Sequence, residues 1–94
     1  MYTLRKLEIE EGKDSLVSIG YTTIGETLNL FDAFTDNQKV VNSLDEVVIG
    51  WQILLYSRSF GYHRTSKIKE IVSREPKKIT FKTQTSLYEL LKED

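Results

Sequence analysis

The sequence predicts an α+β protein, a small antiparallel sheet or partly open SH3-like barrel carrying one short helix, folded as a single domain over residues 1–94. Three observations predict it. Several segments alternate apolar and polar residues with period 2, one segment carries apolar residues at helical spacing, and isolated turn residues punctuate the chain between them.

Tyr2 to Glu10 reads as a strand with Leu7 and Ile9 on one face, and Glu11-Gly12-Lys13-Asp14 supplies turn chemistry. Ser15 to Tyr21 resumes with Val17, Ile19 and Tyr21 at period 2, completing a hairpin. Ile24, Leu28, Phe31 and Phe34 then fall at i, i+4, i+7 and i+10, one stripe of a helix, and Thr23 with Glu26 has capping-box spacing. A helix is expected from about Ile24 to Phe34, with Gly25 weakening its first turn and Asp36-Asn37 ending it.

Residues 40 to 51 match both periods, because Val40, Leu44, Val47 and Trp51 have helical spacing while Val47 to Ile49 and Trp51 to Leu55 are strand formers. A turn or helical stub over Asn42 to Glu46 followed by a central strand from about Val48 to Ser57 is expected. Apolar residues on both faces of that strand place it between two layers. Arg58-Ser59-Phe60-Gly61 offers a turn, Thr65 to Ser73 a strand, Glu75-Pro76-Lys77-Lys78 a second turn, and Ile79 to Thr85 a strand. The C-terminal half is thus expected to be a three-stranded meander, with a core that includes Ile19, Leu28, Phe31, Trp51, Ile53, Leu55, Ile71 and Phe81.

Composition narrows the classes of function. A 94-residue chain buries roughly 60 to 70% of its unfolded surface, enough for one core, and with no cysteine it has neither disulfides, thiolate zinc sites nor a cysteine nucleophile. A cytoplasmic location is the expectation. Val47 to Tyr56, the longest nearly apolar run, contains Gln52 and is too short to span a bilayer, and the N-terminus lacks a signal-peptide layout, so Met1 reads as the natural start and no membrane partner is expected. The net charge of −1 conceals polarity: residues 1 to 50 carry four Lys/Arg against nine Asp/Glu, and residues 51 to 86 carry eight against two. Acidic and basic strands facing each other within one sheet account for this, as does a basic face that meets an anionic partner.

Two segments carry a resemblance. Thr65-Ser66-Lys67-Ile68-Lys69-Glu70-Ile71, followed after a turn by Phe81-Lys82-Thr83-Gln84-Thr85-Ser86-Leu87-Tyr88-Glu89-Leu90, resembles small β-rich proteins of bacteriophages and their bacterial hosts. In those proteins a Thr-Ser strand start precedes a strand ending in Thr-x-x-Ser-x-Tyr-x-Leu. The chain departs from that form at Lys67, where an apolar residue or proline is usual, and at Thr85, where asparagine is usual. The resemblance implies a barrel-like meander and a phage or mobile-element origin, and it brings no catalytic residues.

The chemistry-bearing residues are sparse. His63 is the only histidine, no glycine-rich phosphate loop exists, and no serine sits in a nucleophile elbow, so neither a metal, a cofactor nor an enzymatic activity is expected. Acid pairs such as Glu8 with Glu10 read as a solvated strand face. The basic segment is more informative: Arg58, Tyr62, Arg64, Lys67 and Lys69 place cations beside aromatic rings, a composition suited to stacking bases and contacting phosphates. Against that, the pI of 5.8 is far from that of a typical nucleic-acid module. The function expected is a non-enzymatic protein-interaction or regulatory module that binds a host factor. Nucleic-acid binding through the basic meander is the alternative, and open sheet edges also allow self-association.

Overall fold

The computed structural model describes residues 1–9 and 16–93. Among them the chain forms strands β1 Tyr2–Ile9, β2 Leu16–Gly25, β3 Thr27–Asp32, β4 Asn37–Val40, β5 Gln52–Ser57, β6 Gly61–Lys67, β7 Glu70–Glu75, β8 Lys78–Lys82 and β9 Leu87–Lys92. The one helical element among these residues is a 3-10 turn, Leu44–Glu46. All pairings are antiparallel, in a five-stranded sheet of order β2-β1-β9-β8-β7 and a four-stranded sheet of order β4-β3-β5-β6.

The fold is therefore all-β, and the α+β expectation is corrected. The helix expected from Ile24 to Phe34 is instead the end of β2, all of β3 and the tip of the β3–β4 hairpin. Its stripe was a coincidence of spacing: Leu28 and Leu30, two apart, point into the core, while Ile24 and Phe34 are exposed. Thr22, Thr23, Ile24 and Thr27 are β-branched and favour strands. Gly25 lies against β5, where an added Cβ would stand 2.6 Å from the Tyr56 carbonyl oxygen.

The meander is also divided. Residues Thr65 to Ser73, expected as one strand, turn a corner between the sheets: the Ile68 amide still donates to the Trp51 carbonyl at 2.9 Å, whereas the Lys69 amide donates to the Lys82 carbonyl at 2.7 Å. Ile68 fits the corner because its side chain is fully buried. The chain crosses between sheets a second time at Gly25–Glu26, where the Glu26 amide donates to the Tyr56 carbonyl. The N-terminal hairpin stands as expected, with β1 antiparallel to β2; the turn expected at Glu11 to Asp14 and the burial expected of Ile19 lie outside the described residues and side chains.

Between the sheets, Leu4, Leu28, Leu30, Ile53, Leu55, Ile79, Phe81 and Leu90 form one core. Leu28, Ile53, Leu55 and Phe81 were expected there; Trp51 and Ile71 pack against it half-buried, and Phe31 lies on the opposite side of β3. The segment expected as a stub plugs one end, with Leu44 and Val47 fully buried. Arg74 holds it by donating from Nη1 to the Leu44 carbonyl at 2.6 Å and from Nη2 to the Val47 carbonyl at 2.7 Å. Ser43 and Glu46 complete a capping box around it.

The residues shared with the phage-type pattern have structural roles. Thr65 sits at the irregularity in the β5–β6 register, where its buried Oγ1 accepts the Ile53 amide at 3.1 Å and donates to the Ser66 carbonyl at 2.8 Å. Thr83 closes the β8–β9 turn through its amide to the Ser86 carbonyl, and Tyr88 and Leu90 enter the core. Thr65→Val keeps the shape but strands a buried amide, so about 1 to 3 kcal/mol of stability should be lost. Urea denaturation checks it, and Thr65→Ser, which keeps the hydroxyl, should retain most of the stability.

Candidate binding face

Alternation along the four-stranded sheet sends one set of side chains to the core and the other outward. Register aligns the outward set into rows. One row runs Val40, Asn29, Leu54, Arg64 across β4, β3, β5 and β6; the next runs Gln38, Phe31, Gln52, Lys67. A third begins at Thr27 and passes through Tyr56 to Tyr62. None of these residues is acidic.

Leu54, at the centre, is 8% exposed, while Tyr62 is 68% exposed at the edge and Phe34, at the tip of the β3–β4 hairpin, is 85% exposed. The cations lie over rings rather than beside carboxylates: the Arg64 guanidinium is 5.4 Å from the Phe31 centroid and Lys67 Nζ is 3.7 Å from that of Phe34. Tyr56 and Tyr62 pack against each other at 4.9 Å. A hollow of about 540 Å³ lies among Phe31, Gln38, Leu54, Tyr62 and Arg64. Acidic groups gather at the hairpin tip instead, where Asp32 accepts the Phe34 amide at 3.0 Å.

The outer face of the five-stranded sheet differs. Arg5 pairs with Glu89 at 3.2 Å, Lys78 with Glu75 at 3.4 Å and Lys82 with Glu70 at 3.9 Å, so charge is matched along it. None of these three pairs joins a cation of residues 51 to 86 to a carboxylate of residues 1 to 50, so they leave the charge polarity of the sequence in place. Neither Arg64 nor Lys67 joins an ion pair among the described residues.

Of the five residues singled out from sequence, Tyr62, Arg64 and Lys67 share this face. Arg58 stands at its rim in the β5–β6 turn, where its amide donates to Glu26 Oε2 at 2.9 Å. Lys69 is separated from them: lying beyond the corner at Ile68, it bonds to β8, so the shared face expected for Lys67 and Lys69 does not exist. Sequence reasoning missed Asn29, Phe31, Gln52 and Leu54 as members of this face. The doubly apolar pattern of β5 was the signal for Leu54, and it was assigned to a second covering layer.

His63 faces inward from β6 and shares a hydrogen bond of 2.7 Å with the Tyr21 hydroxyl, joining the edges of the two sheets. Burial lowers the His63 pKa. Burial, with the neighbouring Tyr88 hydroxyl, raises that of Tyr21, so near neutral pH an uncharged phenol and an uncharged imidazole share this bond. Among the described residues no cluster of His, Asp or Glu could hold a metal ion, and no helix is long and apolar enough to cross a membrane. Compared with known proteins, the chain matches no family, and neither a curated protein nor a solved structure was found similar to it.

Proposed function

We propose that the chain is a non-enzymatic, cytoplasmic protein-interaction module that docks its partner on the outer face of the four-stranded sheet. In the phage or mobile-element setting implied by the sequence resemblance, that partner is a host factor. The observation that carries the reading is the outward row structure around Leu54: aromatic and aliphatic side chains, amides, a threonine, an arginine and a lysine, without a carboxylate. That is the composition of the core of a protein interface. β5 has apolar residues on both faces but a packed layer on only one, and a docked protein supplies the other.

Affinity capture checks the proposal. Phe34 and Tyr62 are exposed enough that replacing both with serine should leave the fold intact. A partner recovered in the presence of nuclease by the natural sequence and lost by the double variant is the expected result. Undiminished recovery by the variant would move the interface elsewhere.

Single-stranded nucleic acid is the second reading, favoured by one observation: Tyr62, Arg64 and Lys67 lie on one face. Nuclease-sensitive recovery would support it. So would oligonucleotide binding with a log-log salt slope near about −0.7 per phosphate contact.

A further inference from the structure

We infer that the occupant of the four-stranded face is an extended acidic peptide segment, lying across the strands with alternate apolar and carboxylate side chains. This rests on the reading of that face as a protein-docking surface and names the chemistry of the partner. The hollow is lined from all four strands, by Gln38 of β4, Phe31 of β3, Leu54 of β5, and Tyr62 and Arg64 of β6. Three inter-strand gaps of about 4.8 Å make it about 14 Å long, which accommodates four or so residues of extended chain at about 3.3 Å each.

An extended segment presents its side chains alternately, so every second one faces the sheet and its neighbours face the rim. An apolar side chain set on Leu54 fills the hollow between Phe31 and Tyr62. The carboxylates beside it reach Arg64 and Lys67, neither of which joins an ion pair among the described residues. Each cation already rests against a ring, Arg64 on Phe31 of the sheet and Lys67 on Phe34 at the hairpin tip, which lowers the side-chain entropy lost when an anion arrives.

Two further features separate a peptide from a nucleic acid. Asn29 Oδ1 and Gln52 Oε1, neighbours of Leu54 on this face, are buried acceptors without a hydrogen-bond partner. The donor each lacks is one that a peptide presents at every residue as its backbone N–H, whereas a sugar–phosphate backbone offers no N–H. Arg64 and Lys67 each occupy one face of the Phe31 and Phe34 rings, which leaves fewer ring faces for base stacking.

The test is an NMR titration of the full 15N-labelled chain with three probes: a blocked pentapeptide of alternating glutamate and leucine, its lysine–leucine counterpart, and an oligothymidine. The acidic peptide should shift amides of β3, β5 and β6, weaken as salt rises, and bind about tenfold less tightly to Arg64→Gln. No shifts on this face, equal binding of the basic peptide, or tighter binding of the oligothymidine at the same residues would each overturn the inference. A captured partner that depends on Phe34 and Tyr62 yet is indifferent to Arg64→Gln would also remove it, while leaving the protein-docking reading in place.

Discussion

Phe81→Ala should lower stability by about 3 to 5 kcal/mol, against a total of about 5 to 15 kcal/mol for a small domain. Phe81 is 0% exposed and sits on the inner face of β8, the strand next to the edge of the five-stranded sheet, where its ring stacks on Tyr88 with centroids 5.3 Å apart and planes at 17°. It stands between Ile71 on β7 and Tyr88 on β9, both of which touch the core. Truncation removes the ring's own burial and opens a cavity that two paired strands cannot close without breaking register. Urea denaturation measures the loss. Phe34→Ala is the control: its ring is largely solvated, so its change should remain within about 0.5 kcal/mol.

That contrast shows where the sequence is informative. β8, which alternates strictly, is legible because one face meets the core, with Ile79 and Phe81 fully buried, and the other does not. β3 is not: Leu28 and Leu30 alternate, but Ile24, Phe31 and Phe34 are apolar for other reasons, and together they imitate a helix. The first two lie on outward faces and the last on a turn. The corner at Ile68 is invisible for a different reason, since no proline or glycine marks it and the strand pattern continues through it. β9 was hidden by its short, mixed sequence: the alternation from Ile79 to Thr85 reads as one strand, and the turn closed by the Thr83 amide on the Ser86 carbonyl ends it early and starts β9. For the binding face, Tyr62 and Arg64 share a side of β6 by simple alternation, and the register irregularity at Thr65 adds Lys67 to them. Phe31, Leu54 and Tyr56 come from strands distant in sequence, and only the pairing of β3 with β5 and β6 assembles them. Phe31, expected in the core, is the clearest case: its exposure on the outer side converts it from a packing residue into part of a docking surface.

Gly25→Ala should cost about 1 to 3 kcal/mol, toward the upper end, because the contact it creates cannot be relieved locally. At Gly25 the chain leaves the five-stranded sheet for the four-stranded one, and it passes so close to β5 that a Cβ would stand 2.6 Å from Leu55 Cγ and 2.6 Å from the Tyr56 carbonyl oxygen. The leucine tip can rotate away. The carbonyl cannot, because it accepts the Glu26 amide and belongs to a strand paired on both sides, with β3 and with β6. Relief requires the corner itself to open, which separates Glu26 from Tyr56 and disturbs Leu28 and Leu55 beneath it. Gly61 provides a comparison with the opposite mechanism. Its φ of 79° is left-handed, but the space around it is empty, so Gly61→Asn should be better tolerated than Gly61→Ala because asparagine adopts that conformation more readily. At Gly25 the order should reverse, with asparagine worse than alanine, since bulk and not backbone angle is the obstacle. Melting temperatures of the four variants decide it. If Gly25→Ala melts with the natural protein, the close crossing of β2 over β5 is wrong, and with it the corner that carries β3 into the sheet bearing the binding face.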